Sequence, residues 1–315
     1  MLWNVQGAAS NTFHRAFKTF VKNYNPPLVV FMEPRISERK AYDFIKNNGF
    51  EYSHRVEAIG FSGGIWLLWK NAIEVEVLIN HKQFIHFKIS RNKNFVSWIT
   101  AVYASPNPML RKQLWNHLDS LAIFIKEPWL IGGDFNSILY TSEKQGGAAG
   151  QARGCGLFRQ WFDGNQIFDL KFKGPRFTWS CGFLFKRLDI ALCNNEWLLK
   201  FTDNSVLHLP KVASDHRPVL VRFEKIARGN HGNRSFRFLA SWLTNDHFNN
   251  FVKQTWDPQA SYSDAASTFV KEVQVWNREV FGNIFQRKRI LMARINGIQA
   301  ALENSSSRGL TRLEA

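Results

Sequence analysis

Short apolar runs recur along the first two thirds of the chain and stop near residue 226. Several of them alternate apolar and polar residues, as FIHFKIS and IEVEV do, which is the period of a strand with one face in water. The runs that we interpret as strands are Leu28–Met32, Gly63–Trp69, Ile73–Ile79, Phe84–Ile89, Phe95–Ala104, Trp129–Gly133, Arg176–Ser180, Arg187–Cys193 and Arg217–Phe223.

Three stretches between these runs have the spacing of amphipathic helices. They are Asn11–Asn23, Ser37–Phe50 with Ser37 as its cap, and Met109–Ile125. Many strands with few helices, and without strict alternation of the two, predict an α/β sandwich built from mixed sheets.

Composition indicates a packed protein with a basic surface. Of 315 residues, 45% are hydrophobic and 15% aromatic, which favours a folded core over disorder. The formal charge of +16 is spread over both parts of the chain and favours a polyanionic partner, first nucleic acid and second an anionic membrane.

The cysteines and the apolar stretches predict a soluble intracellular protein. Cys155, Cys181 and Cys193 are odd in number and lack CxxC spacing, so neither a disulfide framework nor a zinc site is indicated. The sequence begins without the pattern of a signal peptide, and no apolar stretch approaches the roughly 18 residues of a membrane span.

Composition changes near Ile226, where we place a domain boundary. Ala227–Ser235 is rich in Gly, Asn and Arg and reads as a linker. From Phe281 to Leu302 apolar residues step by three and four, with a break at Lys288, which predicts a helix or short coiled coil. The expected domains are therefore 1–226 and a helical extension over 227–315.

Polar side chains stand at or beside the ends of the predicted strands. Because strand ends in a sandwich share edges, we expect these side chains to cluster. They are Asn4, Glu33, Tyr103, Asp134, Asn136, Asp189, Asp215 and His216. For Asp134 and Asn136 an Asx-turn is the alternative interpretation, and for Asp189 a pair with Arg187.

A cluster with four carboxylates favours hydrolysis of a phosphodiester with a hard divalent cation. Carboxylates brought together repel one another unless a cation compensates their charge, and oxygen ligands suit Mg²⁺, with Mn²⁺ as a substitute. His216 is a candidate acid, base or phosphate donor that Asp189 would orient, and Ser214 and Trp179 are weaker candidates for contacts at the site.

The motifs WNVQG, MEP, VYASP, GGDFN, RLDIAL and SDHRPV occur in the order of the endonuclease/exonuclease/phosphatase superfamily, which the chain resembles over residues 1 to about 224. The closest resemblance is to the endonuclease domains of plant LINE-type (non-LTR) retrotransposons, and it continues through FRFLASWL and WNREVFGNIFQRKR. The resemblance implies a DNase I-like four-layer α/β/β/α sandwich with a C-terminal helical extension. It also implies a nuclear DNA-nicking endonuclease that uses Mg²⁺.

The resemblance also implies a role for each residue. Glu33 would be the main metal ligand, with Asn4 and Asp215 nearby. Asp134 would handle a proton, and Asn136 would orient the reacting group. His216, held by Asp189, would stabilise the scissile phosphate, and Tyr103 would donate to a phosphate oxygen.

Departures from the family pattern leave alternatives open. Gln6 and Pro106 replace an acidic residue and an Asn of the abasic-site repair enzymes, which argues against a dedicated repair enzyme. No reverse-transcriptase motif precedes Ala315, so a fragment of an element is expected, with any reverse transcriptase supplied separately. The alternatives are a non-catalytic nucleic-acid-binding remnant and an enzyme for another phosphate ester, such as an inositol phosphate or sphingomyelin.

Overall fold

A computed structural model of the chain describes residues 1–36, 38–57, 63–147, 156–223, 242–243, 245–276 and 284–304. Its strands, in chain order, are β1 Leu2–Asn4, β2 Leu28–Met32, β3 Tyr52–Val56, β4 Ile65–Trp69, β5 Glu74–His81, β6 Phe84–Arg91, β7 Asn94–Tyr103, β8 Trp129–Asp134, β9 Lys144–Gln145, β10 Phe168–Asp169, β11 Phe172–Lys173, β12 Trp179–Cys181, β13 Leu184–Lys186, β14 Asp189–Cys193, β15 Ser205–His208 and β16 Val219–Arg222. Its α-helices are α1 Asn11–Tyr24, α2 Glu38–Lys46, α3 Pro108–Phe124, α4 Gly156–Gly164, α5 Asn195–Lys200, α6 Phe248–Thr255, α7 Tyr262–Trp276 and α8 Ile284–Asn304.

Two large mixed sheets form the centre of the fold. One has the strand order β11-β15-β16-β1-β2-β4-β3 and the other the order β10-β14-β8-β7-β6-β5, while β12, β13 and β9 form a small third sheet. In the first sheet β1 is parallel to β2 and antiparallel to β16. In the second, β8 is parallel to β7 and antiparallel to β14. The prediction of mixed sheets is confirmed.

Strand β2 shows why two layers of side chains surround the first sheet. Val30 and Met32 are fully buried in the core between the two sheets. Phe31 points to the opposite face, where its ring lies 4.9 Å from that of Phe17 in α1 and 5.9 Å from that of Phe44 in α2. Both faces of β2 are thus buried, so the run LVVFM is apolar throughout instead of alternating.

Helices α3 and α4 cover the outer face of the second sheet. The ring of Trp115 in α3 stacks on Phe158 of α4 with centroids 4.6 Å apart, and Phe135, just after β8, stacks on Phe158 at 5.0 Å. Burying each such aromatic side chain contributes about 2 kcal/mol to the hydrophobic stabilisation. The order of layers is helix, sheet, sheet, helix, and the predicted four-layer sandwich is confirmed.

Element ends follow local chemistry. Helix α1 begins after Ser10, whose hydroxyl accepts a hydrogen bond from the Phe13 amide, and it ends at Asn25 with a left-handed backbone. The predicted cap Ser37 lies outside the described residues. The predicted strand Arg176–Ser180 is wrong in extent, since only Trp179–Cys181 is extended and it forms a hairpin with β13.

The chain divides into two compact units. One comprises Met1–Lys225 together with the residues from Ile295 onward, and the other comprises Ile226–Arg294. The predicted domains 1–226 and 227–315 stay predictions. Within the second unit, α6 and α7 pack around Trp242, Phe248, Val273 and Trp276. The predicted linker Ala227–Ser235 lies outside the described residues.

Among the described side chains of α8, the predicted apolar seam matches the buried face only in part, since Ile298 on the seam packs against Phe177 and Phe185. Leu291 on that seam is 55% exposed, whereas Gln299, which is off the seam, is 3% exposed. Gln299 is buried because its side-chain amide is hydrogen-bonded to Lys211 and Arg217 of the same compact unit. Among the described helices, none combines the length and apolar character needed to cross a membrane.

Candidate active site

The end of strand β8 carries the first group of polar side chains. In register, Asp134 lies beside Tyr103 of the parallel strand β7 and beside Asp189 of the antiparallel strand β14. Gly133 permits this close approach: its φ is +137°, and a Cβ there would lie 2.0 Å from the Val102 carbonyl oxygen. The glycine before Asp134 therefore lets β8 lie close against β7 at the site.

Asp134 and Asn136 meet through a turn. Asn136 has a left-handed backbone with φ of +45°, and its amide donates to Asp134 Oδ1 at 2.8 Å, so the Asx-turn alternative is realised. The Asn136 side chain donates to Asp134 Oδ2 at 3.2 Å and to the Ala104 carbonyl at 2.9 Å. The turn thus places the amide against the carboxylate, while Phe135 is buried in the core.

The first sheet supplies Asn4 and Glu33. Asn4 ends β1 and Glu33 follows β2, two parallel neighbours whose carboxyl ends meet at one edge. The Asn4 side-chain amide donates to Asp134 Oδ2 at 2.9 Å and to Glu33 Oε1 at 3.3 Å. It therefore connects a carboxylate of each sheet.

Two further donors surround Glu33. The Tyr103 hydroxyl donates to Glu33 Oε1 at 2.7 Å, and the Arg35 guanidinium pairs with Glu33 Oε2. The hydroxyl that the resemblance assigns to a phosphate oxygen is thus engaged with the predicted metal ligand.

His216 is held between two carboxylates. Its Nδ1 donates to Asp189 Oδ2 over 2.8 Å, and its Nε2 lies 4.0 Å from Asp134 Oδ2. Thr178 accepts hydrogen bonds from the amides of Leu188 and Asp189 and so fixes the start of β14. The alternative pairing of Asp189 with Arg187 is not realised, because Arg187 binds Glu143 and Asp169.

Asp215 lies at the more exposed side of the site. Its Oδ2 accepts from Gln6 Nε2 at 3.0 Å and from Trp179 Nε1 at 2.8 Å, and its Oδ1 lies 4.0 Å from His216 Nε2. The Ser214 hydroxyl donates to the Asn4 carbonyl and accepts from the His216 amide. Ser214 and Trp179 are therefore integral to the hydrogen-bond network.

Strained backbone is concentrated here. Gln6, Glu33, Arg35 and Asn136 all have φ between 44° and 52°, in the left-handed region. For residues other than glycine this conformation costs of order 1 kcal/mol or more each, and it persists where the surroundings enforce it. The site is thus held in place by the contacts around it.

Burial and mutual contact shift the pKa values of the central pair. Burial raises the pKa of Asp134 to about 7, with His216 opposing and Asp189 adding to the rise. Burial alone would lower the pKa of His216, but Asp189 and Asp134 outweigh it and raise that pKa to about 9. Burial, then Glu33, raises the pKa of Tyr103. His216 is therefore an imidazolium near neutral pH.

The donor set fits a hard divalent cation. Carboxylate and amide oxygens are the ligands that such a cation prefers, and among the described residues Asp189 Oδ1 and Asp215 Oδ1 are buried atoms that accept no hydrogen bond. One ligand atom each of Asp134, Asp189 and His216 lies within 4.8 Å of the others. This group differs from the predicted metal ligands Glu33, Asn4 and Asp215, which stay a prediction. With the predicted ligands, the imidazole of His216 would remain hydrogen-bonded to Asp189 and would not bind the metal.

All eight residues predicted from the sequence lie in one network, while their individual roles remain predictions. The residues that sequence reasoning passed over as site members are Gln6, Arg35 and Thr178. Gln6 and Arg35 each lie two positions after a predicted metal ligand, and this spacing is the one signal that could have pointed to them.

Comparison with known proteins gives a consistent result. A model of the Endonuclease/Exonuclease/phosphatase family matches residues 1–216. No curated protein is similar enough to count as a match.

Solved structures share the fold at low sequence identity. An AP endonuclease from Archaeoglobus fulgidus has a TM-score of 0.55 and 14% identity, with 71% of this chain and 99% of that chain covered. The 3′ phosphatase NExo from Neisseria, bound to a product DNA hairpin, has a TM-score of 0.52 and 16% identity, with 71% of this chain and 98% of that chain covered. The endonuclease domain of TRAS1, a telomere-specific non-LTR retrotransposon, has a TM-score of 0.52 and 13% identity, with 70% and 94% covered.

Proposed function

The chain belongs to the Endonuclease/Exonuclease/phosphatase family, and from that premise we propose that it is a Mg²⁺-dependent endonuclease that nicks one strand of DNA. The observation that carries the proposal is the opposed pair Asp134 and His216. Their side chains lie 4.0 Å apart without a direct hydrogen bond, and Asp189 fixes the other nitrogen of the imidazole. That gap suits a water or a phosphate oxygen that both groups contact.

The residues support hydrolysis as follows. Asp134 accepts a proton from the attacking water, whose oxygen forms a new bond to phosphorus. The imidazolium of His216 donates to a non-bridging phosphate oxygen and stabilises its growing negative charge. The bond from phosphorus to the 3′ oxygen breaks, and that oxygen takes a proton from solvent. Asn4 and Asn136 orient the Asp134 carboxylate throughout.

Glu33, Asn4 and Asp215 are the residues that would hold the metal. When bound, Mg²⁺ or a substituting Mn²⁺ would neutralise charge on the carboxylates and on the phosphate. Tyr103 positions Glu33 through its hydroxyl, and Gln6 and Trp179 position Asp215.

The net charge supports DNA as the substrate, and the similarity to a retrotransposon endonuclease supports a retrotransposon as the origin. The net charge of +16 favours association with a polyanion. The TRAS1 endonuclease domain shares the fold, and the plant-element motifs agree with it. A nick that leaves a 3′ hydroxyl would serve a separately supplied reverse transcriptase, and such an activity belongs in the nucleus.

The test is nicking of supercoiled plasmid by the full chain with Mg²⁺. We expect wild type to convert plasmid to the open circle and EDTA to abolish the reaction. In Asp134→Ala and His216→Ala we expect rates lower by roughly three orders of magnitude, given the usual contribution of acid–base and electrostatic groups. Nicking that survives EDTA, or that is unchanged in both variants, would disprove the proposal.

Two controls separate the alternatives. The Gln254→Ala variant, at an exposed position, should nick like wild type. Folded wild type that binds DNA in a salt-dependent way without turnover would instead favour the binding remnant. Faster hydrolysis of an inositol phosphate or of sphingomyelin than of DNA would favour the other phosphatase activity.

A further inference from the structure

The end of helix α8 contacts the loop that carries Asp215 and His216. Gln299 is 3% exposed, and its side-chain amide is hydrogen-bonded at both atoms. Its Oε1 accepts from the Lys211 amide at 3.0 Å and from Arg217 Nη1 at 2.6 Å, and its Nε2 donates to the Lys211 carbonyl at 2.9 Å. One side chain therefore binds the residues at both ends of the loop 211–217.

Arg217 carries this contact toward the site. Its Nε donates to the Phe177 carbonyl at 3.0 Å, and its backbone amide donates to the Thr178 carbonyl at 2.8 Å. Thr178 in turn binds the amide of Asp189, the partner of His216. A polar path thus runs from Gln299 through Arg217 and Thr178 to the Asp189–His216 pair.

An apolar contact fixes the helix end at the same place. Ile298 packs against Phe177 and Phe185, which are 2% and 8% exposed. Ile298 therefore packs the helix against Phe177, whose carbonyl Arg217 binds, and the neighbouring Gln299 can contact the loop.

The loop has no regular secondary structure and is held by hydrogen bonds to neighbouring segments, such as those from the Ser180 amide to the Asp215 carbonyl and from Trp3 Nε1 to the His216 carbonyl. Residues 211–217 form no strand or helix, and within this stretch His216 makes only an isolated bridge, to Trp179. Ala213 has a left-handed φ of +61°, which is unfavourable for an alanine. Without external contacts such a segment samples many conformations.

We propose that Gln299 is a positioning residue that fixes the loop 211–217 and, through it, the placement of Asp215 and His216 in the site. The expected effect on nicking rests on the proposed function, whereas the expected effect on the loop does not. The C-terminal part of α8 is on this view a part of the nuclease and not an appendage to it.

The test compares Gln299→Ala with Gln254→Ala in the full chain; Gln254 is an exposed glutamine of helix α6. In Gln299→Ala we expect backbone amides of residues 211–217 to exchange hydrogen about tenfold faster or more, with exchange in β8 unchanged. We expect kcat for plasmid nicking to fall roughly 10- to 100-fold with KM for DNA changed less than about threefold, because misplaced groups slow the chemical step. Gln254→Ala should match wild type in each measurement.

Three outcomes would overturn the proposal. The first is unchanged exchange in the loop. The second is equally faster exchange across both sheets, which indicates a general loss of stability. The third is an unchanged kcat in a variant whose loop has become mobile. If wild type itself does not nick, the proposed function fails, and the exchange comparison still decides whether Gln299 fixes the loop.

Discussion

At the scale of single residues, the site contains two carboxylates in an unfavourable pairing. Asp134 and Asp189 are directly opposite on antiparallel neighbours, where like charges destabilise the sheet. Asn4 and Asn136 donate to Asp134, while His216 donates to Asp189. The groups that the proposed reaction needs are thus also the groups that make the pairing tolerable.

Removing the hydroxyl of Tyr103 distinguishes a role in orienting the metal ligand Glu33 from a role in binding the phosphate. In Tyr103→Phe we expect the Kd for Mg²⁺ without DNA, measured by calorimetry, to rise about tenfold, because a hydrogen bond that orients a metal ligand typically changes metal affinity by that much. Tyr52→Phe, at a 49% exposed position, is the matched control. An unchanged Kd for Mg²⁺ with a raised KM for DNA would instead assign the hydroxyl to the phosphate.

His208 predicts a loss of stability in acid. It is buried, its Nδ1 donates to the Pro175 carbonyl, and burial holds its pKa at about 3, below the ordinary 6.5. The unfolded chain therefore binds a proton below pH 6.5 that the folded chain refuses. The stability that neutral His208 contributes is present above pH 6.5 and falls by about 2 kcal/mol by pH 5.

The measurement is urea unfolding of wild type and His208→Asn at pH 7.5 and pH 5. Because the raised pKa of His216 acts in the opposite direction, the difference between the two proteins isolates His208. Wild type should lose more stability than the variant between these pH values, and equal losses would contradict the assignment.

The eight site residues could be predicted from the order of their motifs along the chain. Each of these residues stands beside an apolar run, and the strands formed by these runs end at shared edges of the sheets. The same logic fails for Gln6 and Arg35. Both have left-handed backbones that nothing in their residue types signals, since glycine and asparagine are the usual occupants of that conformation. Their contacts to Asp215 and Glu33 depend on turns that only the folded chain defines.

At the scale of elements, strand β8 joins the parallel and antiparallel parts of the second sheet. Gly133→Ala should destabilise the protein by about 3 kcal/mol or more, because the new Cβ meets the Val102 carbonyl and the positive φ disfavours alanine. Gly164→Ala is the control, since a Cβ there meets nothing within 4 Å. Equal midpoints of urea unfolding in the two variants would contradict this account of β8.

Elements whose residues are all apolar could be predicted from the sequence. Elements whose limits depend on contacts with residues far away in the chain could not. LVVFM reads as a strand because both faces of β2 are apolar. The hairpin of β12 and β13 was missed because Arg176–Ser180 looks extended while its pairing depends on Phe183 and Gly182 forming a turn. The burial of Gln299 in α8 was missed because this residue is buried for its hydrogen bonds, which apolar spacing does not detect.

At the scale of the whole molecule, the chain has two compact units and all eight site residues lie in the first. Trp276→Ala, in the core of the second unit, should cost that unit about 3–5 kcal/mol and leave nicking per folded molecule unchanged. Leu67→Ala, in the core between the sheets, should instead lower the midpoint at which activity is lost. Calorimetry with parallel nicking assays checks both, and loss of nicking in Trp276→Ala at low temperature would contradict the division.

The hydrogen bonds of Asn4 to Glu33 and Asp134 have a consequence for safety in the cell. The first sheet carries two of these residues and the second carries the third, so neither sheet alone has a working site. Under the proposed function, a chain that is still emerging from the ribosome, or that is partly unfolded by heat, has no assembled site and does not cut DNA. Nicking activity would then report that both sheets are folded and packed together.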